Sequence, residues 1–541
     1  MPELPSKLEQ EALTRLADAR AGKLQFERDF REGYAFAAPH RKRNVLSSVS
    51  GGDTKPKDEG ELNTSFAFEL CADFPTVIMN TFVPEIQPWA KRRAGDAVHP
   101  SAREAVEAEI KRADDTIFTA IAASNFYSAC GETFTPDLAL GTVGLWVDRP
   151  RPGMPVHCQP IPIRELEIAQ GPYGGVDDRF VSRWVTARHL KVLLDGIELP
   201  GTITRDAEKD KKKINVTWGF WRDWDESDEV WQHVVLAKDT LVHSVKIKGR
   251  GSCPLIVARF APCPEWAWGI GPLVQALPDL RHLDALSESK LKNLDLSIQP
   301  PMAWPDDSWS SIENGFETGM AYPVRPGSEA AIKKIYEPNP PDAAVYEQSS
   351  LEQRLRRLFF LDWPQQTGDT PPTATQWLDE MTMAQRRIGT PGRIFWDEFA
   401  AGTFTRFQYL LEKAGLVRPI KIDGKIAFLQ PYNPAQLAAE QQEVAQFTRF
   451  VQITGAAFPE EFRLHSDGLA TMMNIARKMG VTGIWSMRSN EDLQGVIDQI
   501  VQLKGGAAPG APSIAAGSPQ QGEQAGQTAP APVTQVIQRS F

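Results

Sequence analysis

The fold is decided by a stretch that reads PLIVARFAPCPEWAWGIGPLVQALPDLRHLDALSESKLKNLDLSIQPPMAW over Pro254–Trp304. After a turn-rich segment the chain continues as LEQRLRRLFFLDWPQQTGDTPPTATQWLDEMTMAQRRIG over Leu351–Gly389. Leucines recur every three or four residues in the first part, which predicts a helix over Gly271–Ile298. The pair Pro300-Pro301 ends it, since neither proline can continue a helix.

A second helix is predicted over Ala343–Phe360, after an insert rich in Pro, Gly, Ser and aromatic residues whose clearest strand pattern is AAIKKIYE. The run LDWPQQTGDTPP then breaks this helix. A longer helix is predicted to begin at Thr373 or Thr375 and to kink at Gly389–Gly392. Downstream, the segment PIKIDGKIAFL predicts a hairpin that turns at Asp423-Gly424.

The N-terminal half is predicted to begin with helices over Pro5–Glu32, Asn63–Thr81 and Ser101–Asn125, the last of them capped by Ser101. Its next part, Leu138–Val257, is predicted to form antiparallel strands, because short β-branched and aromatic runs alternate there with Gly, Pro and Asp. These runs are LGTVGLWV, RFVSRWVTA, KINVTWGFW, VWQHVVLA and TLVHSVKI. Two charged links, KDKKK and DWDESDE, are predicted to be hairpin tips, and a metal site in the second is far less probable than a solvated turn.

Composition narrows the range of functions. The chain has 541 residues, a net charge of −10 and five cysteines without a CxxC pair, which indicates several domains and buried free thiols. An acidic protein is a poor candidate for tight non-specific DNA binding. Neither a signal peptide nor a membrane span is predicted, so the sequence favours a soluble protein made inside the cell.

Motifs for catalysis are missing from the sequence. A packaging ATPase would need the phosphate-binding pattern GxxxxGK[ST], and the pairs Gly22-Lys23 and Gly424-Lys425 lack its leading glycine and its trailing Ser or Thr. The eight histidines are scattered without metal-ligand spacing. We therefore predict no catalytic residue, no metal site and no cofactor.

Several segments resemble, in the same order, the portal (head-to-tail connector) proteins of short-tailed bacteriophages. The resemblance rests on NTFVPEIQPWAKRR, ASNFYSACGETFTPDLALGTVGLWVD, PIPIRELEIAQGPYGGVDDRF, WAWGIGPLVQALPDL, QQTGDTPPTATQW and MRSNEDLQGVIDQI. Each motif is weak alone, but together they span roughly residues 62–503. The pattern Gly269-x-Gly271-Pro272 is similar to the family's start of the stem helix.

The resemblance implies an α+β, multidomain subunit with a mixed wing, a two-helix stem, a small α/β clip and an α-helical crown, assembled into a ring with a central channel. The implied bounds are 1–270 for the N-terminal helices and wing, 271–299 and 341–361 for the stem helices, 300–340 for the clip, 362–374 for the tunnel loop, 375–433 for a kinked helix and hairpin returning to the wing, 434–503 for the crown, and 504–541 for a low-complexity disordered tail.

The implied function is a capsid-vertex channel for packaging and ejecting DNA, and a docking platform for the packaging motor and the tail. Implied partners are eleven further copies, double-stranded DNA, the packaging terminase, tail adaptor, capsid and scaffold proteins, with no membrane. The protein would assemble in the host cytoplasm and reside in the virion. Twelve copies at −10 each would carry −120, which would keep DNA from adhering to the wall.

Site residues follow from the same resemblance. The tunnel loop is assigned Trp363, Gln365, Gln366, Thr367, Gly368 and Asp369. The candidate DNA contacts in the channel are Lys290, Lys292, Arg354, Arg356 and Arg357. Ion pairing from one stem helix to the other, with Glu288, Asp295 or Glu352, is the alternative for each of these cations. Candidates for docking at the clip are Trp304, Trp309 and Phe316, which could equally form the clip's own core or its subunit interface. Alternative functions are a packaging enzyme (ATPase or nuclease) and a tail adaptor or scaffold protein.

Overall fold

The computed structural model describes residues 6–41, 62–95, 98–151, 153–194, 201, 213–226, 228–298, 302–303, 333–334, 342–361, 388–389, 391–418 and 427–431. The chain divides into two compact units, Met1–Glu440 and Gln441–Phe541, and all described residues belong to the first. The predicted crown helices and the C-terminal tail therefore lie outside the described residues.

Ten α-helices are found in the described part. In chain order they are α1 Lys7–Leu24, α2 Glu27–Ala37, α3 Phe66–Phe82, α4 Pro100–Ala122, α5 Phe126–Phe134, α6 Asp137–Leu140, α7 Ala187–Leu193, α8 Pro272–Ile298, α9 Asp342–Leu358 and α10 Ala401–Lys413. A turn of π-helix, Trp396–Ala400, leads directly into α10. The two helices predicted on either side of the insert are confirmed as α8 and α9, each within two residues of its predicted bounds.

Twelve strands accompany these helices within the described ranges. They are β1 Ala90–Ala94, β2 Thr142–Asp148, β3 His157–Ile161, β4 Leu166–Gln170, β5 Val176–Thr186, β6 Lys213–Asp223, β7 Val230–Ala237, β8 Thr240–Lys248, β9 Leu255–Arg259, β10 Met302–Ala303, β11 Lys333–Lys334 and β12 Ala427–Pro431. The larger sheet is an antiparallel meander in the order β4-β5-β6-β7-β8, and β2 pairs with β3 on one side and β9 on the other. The antiparallel strands predicted over Leu138–Val257 are thus confirmed.

One large hydrophobic core joins the two halves of the sequence. Phe395 and Phe399 from the π-helical segment stack on each other with ring centroids 5.3 Å apart, and Phe399 meets Phe134 of α5 at 5.0 Å. Phe404 of α10 packs edge-on against Trp89. All five rings are fully or almost fully buried. Residues after the insert therefore complete a core that the N-terminal half begins.

Three local predictions need correction. The single helix predicted over Pro5–Glu32 is two helices, because the chain breaks at Gln25-Phe26, where the Phe26 ring turns to pack against Trp266 at 5.7 Å. Ser101 is not an N-cap, since α4 already begins at Pro100, a residue suited to the first helical position. The link KDKKK does not join two neighbouring strands directly, because α7 intervenes between β5 and β6.

The C-terminal strand has an unexpected partner. Ala427–Pro431 pairs antiparallel with Ala90–Ala94, from the other end of the sequence. The turn at Asp423-Gly424 and the other half of the predicted hairpin lie outside the described residues. The predicted interruption near Gly389 is supported, because this glycine has a φ of +44°, a left-handed value that a continuing helix does not contain.

Candidate functional site

The base of helix α8 is fastened to the core by a close crossing of two backbone segments. The Gly271 N–H donates to the Leu140 carbonyl over 3.1 Å, and the Gly269 N–H donates to the Thr142 hydroxyl over 3.0 Å. A Cβ atom at Gly271 would collide with the Ala139 carbonyl, which explains why glycine stands there. The glycines of the motif that begins α8 thus let the helix start directly on the core.

Burial decreases along α8. Leu273, Leu277, Leu280 and Leu283 in its first half are at most 2% exposed, whereas Leu291, Leu294 and Ile298 are 49, 55 and 68% exposed. Leu291 follows Leu273 by about five helical turns, so the exposed leucines continue the face that packs into the core. The far half of α8 therefore carries an apolar face that no described element of this chain covers.

Helix α9 runs antiparallel beside α8. The Arg354 guanidinium forms an ion pair with Asp279 of α8 at 3.1 Å, and farther from the core the Lys290 ammonium donates to the Gln348 side-chain oxygen. Leu351 and Leu355 fill the space near the core. These contacts hold the two helices as one hairpin-like pair.

The C-terminal end of α9 is anchored by aromatic rings. Phe359 and Phe360 both pack on Phe74 of α3, at 5.9 and 6.5 Å between ring centroids. Phe360 has a φ of +57°, a strained value for a residue with a side chain, and the Leu361 N–H closes the helix end on the Arg356 carbonyl. The chain thus leaves the helix pair from a firmly held point.

The sequence belongs to a known family. A profile of the family described as "Bacteriophage head to tail connecting protein" matches residues 9–483. The chain belongs to this family. No curated protein sequence matches the connecting protein significantly.

Solved structures similar to this connecting protein include those of gene transfer agent (GTA) particles. "Neck of empty GTA particle computed with C6 symmetry" matches with 13% identity and a TM-score of 0.39 over 76% of this chain and 90% of that chain. "Virion of native gene transfer agent (GTA) particle" matches with 12% identity and a TM-score of 0.38 over 79% of this chain and 97% of that chain.

The five candidate DNA contacts of the connecting protein lie on the helix pair. Lys292 pairs with Glu288 one turn earlier at 2.5 Å but stays 70% exposed, and Arg354 stays 67% exposed beside Asp279. The Arg356 guanidinium lies 5.3 Å from the Phe66 ring centroid, and Arg357 is exposed on the same helix. Arg354 forms an ion pair from one helix to the other, as the alternative predicts, but with Asp279 instead of one of the predicted carboxylates. The pair of Lys292 with Glu288 lies within α8 and does not join the two helices.

Two other groups of candidates could not be located. The tunnel-loop residues Trp363, Gln365, Gln366, Thr367, Gly368 and Asp369 lie outside the described residues. The same holds for the clip residues Trp304, Trp309 and Phe316. Within the predicted clip, the described residues are the short antiparallel pair of β10 with β11, which includes part of the predicted AAIKKIYE strand.

Charged groups buried in the core were not recognised from the sequence. Arg406 of α10 donates to the carbonyls of Val147 and Ser252, at 2.9 and 2.6 Å, and pairs with Asp148. Arg259 of β9 pairs with Glu398 of the π-helical segment. Nothing in the spacing of these residues marks them as partners, because each pair joins segments more than a hundred residues apart.

Asp137, in the short helix α6, makes the protein's stability depend on pH. It is fully buried and accepts from the Tyr34 hydroxyl at 2.6 Å, from Arg41 and from the Ile163 N–H. Burial is the largest influence and raises the pKa of Asp137 to about 6, although Arg41 and these hydrogen bonds oppose the rise. The folded state therefore favours the protonated carboxyl.

We expect this carboxyl to stabilise the fold at low pH and to lose that effect as pH rises. Its contribution should be complete below the unfolded pKa of about 4 and lost through the folded pKa near 6. The melting temperature of the wild-type protein, compared with that of Asp137→Asn, should therefore fall as the pH rises from about 4 to 6.5. Above that range the difference between the two melting temperatures should change little. If the melting temperatures of the two proteins changed with pH in the same way across this range, Asp137 would not be the cause of the pH dependence.

No group of His, Cys, Asp or Glu that could hold a metal is found among the described residues. In the same part of the chain, none of the helices is both long and apolar enough to cross a bilayer. Four cysteines are buried, Cys263 is partly exposed, and all five are free thiols. The exposed apolar and basic side chains of the α8–α9 pair are the candidate functional surface of the described part.

Proposed function

We propose that this connecting protein assembles into a ring of about twelve copies at one capsid vertex, and that DNA passes through the ring during packaging and ejection. Membership of the connector family supports a structural role between head and tail. The observation that carries the ring is the exposed apolar face of α8. An exposed apolar face of this kind is characteristic of a surface that packs against another protein.

The helix pair has two apolar patches on different sides. One is formed by Leu291, Leu294 and Ile298 of α8, and the other contains Tyr346 of α9, which is 75% exposed. Tyr346 lies two residues before Gln348, and thus about 200° around the helix from the residue that contacts Lys290. Two different patches suit a head-to-tail contact, in which one patch of each copy meets the other patch of the next copy. Such contacts generate closed rings when the rotation between copies closes.

Within such a ring, Lys290, Lys292, Arg354, Arg356 and Arg357 are proposed to provide weak contacts to passing phosphates. Their acidic neighbours Glu288 and Asp279 limit the attraction. A net charge of −10 per copy acts in the same direction over the whole assembly. This balance suits a channel through which DNA slides more than a surface that holds it.

Docking and retention are assigned to segments outside the described residues. The clip, with Trp304, Trp309 and Phe316, is proposed to bind the packaging terminase first and the tail adaptor proteins afterwards. Residues 362–374 are proposed to form a loop that acts as a valve on packaged DNA. Capsid and scaffold proteins are the further proposed partners, with assembly in the host cytoplasm and final residence in the virion.

The proposal is tested by electron microscopy of the purified protein, together with its mass from light scattering. Rings of about twelve copies with an open centre are expected. A protein that stays monomeric at all concentrations would favour a tail adaptor or scaffold role. Measurable ATP hydrolysis would favour the packaging enzyme.

Replacing Leu294 with glutamate should prevent ring formation while leaving the subunit folded. Leu294 is 55% exposed in the subunit, so the change costs little there, but a ring would bury the new carboxylate in an apolar contact. Leu416→Glu is the matched control, because Leu416 is 63% exposed on α10's C-terminal side, away from the helix pair. Intact rings of Leu294→Glu would rule out this face as the contact between subunits.

A further inference from the structure

Two aromatic side chains form an exposed pair at one end of the five-stranded sheet. Tyr173, in the turn between β4 and β5, is 81% exposed, and Trp224, after β6, is 43% exposed. Their rings meet edge to face with centroids 4.9 Å apart. This pair, called here the Tyr173–Trp224 surface, is remote in sequence from the helix pair, and the proposed channel does not use it.

The Trp224 ring and the backbone turn that carries Tyr173 are held in place by neighbouring groups. The turn that carries Tyr173 is closed by the Gly171 N–H donating to the Gly175 carbonyl over 2.8 Å, and Arg259 donates to the Gly174 carbonyl over 3.1 Å. The Trp224 indole N–H donates to Asp177 over 3.0 Å. An aromatic side chain that is fixed before binding loses little conformational entropy when a partner arrives.

One face of Trp224 already binds a cation of this chain. The Arg222 guanidinium carbon lies 4.0 Å from the Trp224 ring centroid, well within the range of a cation–π contact. The Tyr173 ring, beside it and mostly open to solvent, offers a second π face of the same kind. The chemistry at this surface therefore matches a planar cation.

The surrounding charge is negative. The tip that follows β6 carries Asp223, Asp225, Glu226, Asp228 and Glu229. Lys246 and Lys248 of β8 neutralise Asp223 and Glu226, each over 2.7 Å. Asp225 and Asp228 are exposed and form no ion pair within the described residues. These two carboxylates leave a negative field next to the open tyrosine ring.

We propose that the Tyr173–Trp224 surface docks an arginine-bearing basic segment of a second protein. A guanidinium of the partner would stack on the open Tyr173 ring, and further cations would pair with Asp225 and Asp228. Arginine suits this surface better than lysine, because its planar group stacks on rings and is more weakly hydrated. The surface would thus attach another protein to the connector at a place distant from its helix pair.

The experiment titrates the full-length protein with the peptide acetyl-GRGRGRG-amide at low salt, using isothermal calorimetry. Peptides with lysine or glutamate in place of arginine are titrated in parallel. We expect saturable binding of the arginine peptide, weaker binding of the lysine peptide, and none of the glutamate peptide. Tyr173→Ala should weaken binding about fivefold or more. Tyr173→Phe, which keeps the ring, should retain it.

Two further variants separate the possible outcomes. Asp225→Asn together with Asp228→Asn should reduce both the affinity and its salt dependence. Leu416→Ala, which removes an exposed apolar side chain that belongs neither to this surface nor to the helix pair, should leave peptide affinity unchanged. Equal affinity for arginine and lysine peptides, or for wild type and Tyr173→Ala, would overturn the proposal. A change of oligomer mass in Tyr173→Ala would instead show that a second copy of this chain occupies the surface.

Discussion

Replacement of Gly271 by alanine should be among the most damaging single changes in this protein. The new Cβ would lie closer than 3.0 Å to the Ala139 carbonyl and to the Gly141 N–H, both of them backbone atoms that cannot rotate away. The crossing would have to open, and with it the hydrogen bond from Gly271 to Leu140. We expect a loss of about 3 kcal/mol or more in the free energy of unfolding, or failure to fold.

Thermal unfolding measures this loss, and Gly131→Ala provides a matched control. Gly131 lies within α5, and an added Cβ there meets nothing within 4 Å. Because alanine favours a helix over glycine by about 1 kcal/mol, the control should be neutral or stabilised. If Gly271→Ala had the same melting temperature as the wild-type protein, the close backbone crossing could not be what holds α8 on the core.

Substitution of Arg406 by leucine should have the next largest effect. Its guanidinium satisfies the carbonyls of Val147 and Ser252 in a buried position, so leucine would leave both without a donor. Each buried unpaired group costs about 1–3 kcal/mol, which gives an expected loss of about 3 kcal/mol or more. Urea unfolding measures this difference.

Arg393→Leu is the control for lost charge alone. Arg393 is 65% exposed and pairs with Asp397 one turn later, at 3.2 Å. An exposed pair of this kind contributes about 0.5 kcal/mol at most to the free energy of unfolding. The control should therefore unfold at nearly the same urea concentration as the wild-type protein. Equal losses for the two variants would mean that the buried hydrogen bonds of Arg406 contribute nothing of their own.

Local sequence patterns predicted much of the secondary structure. The strands over Leu138–Val257 and the helices α8 and α9 were predictable, because alternation and helical spacing are read over neighbouring residues. The motif around Gly269 and Gly271 was noticed through the family resemblance. Its physical cause, the crossing with Gly141, became clear only when both backbone segments were seen together.

Contacts between residues that lie far apart in the sequence could not be predicted from it. The pairing of β1 with β12, and the burial of Arg406 against β2, join residues from opposite ends of the first unit. Local spacing contains no information about such contacts. At the candidate site, positively charged residues were easy to select, and ion pairs between the two helices were predicted. Asp279 was not predicted as the partner of Arg354, because that choice depends on how the two helices are aligned along their axes.

The late position of the last core segments has a consequence for synthesis. β1 ends at Ala94, yet its partner strand ends at Pro431, and Phe399 must reach Phe134 to close the core. At about 5–20 residues per second, a ribosome needs roughly 15–70 s to translate the intervening chain. Nascent subunits therefore wait with an open aromatic core, and prematurely terminated chains lack the segments that close it. Only chains translated past Pro431 contain every described segment of this core.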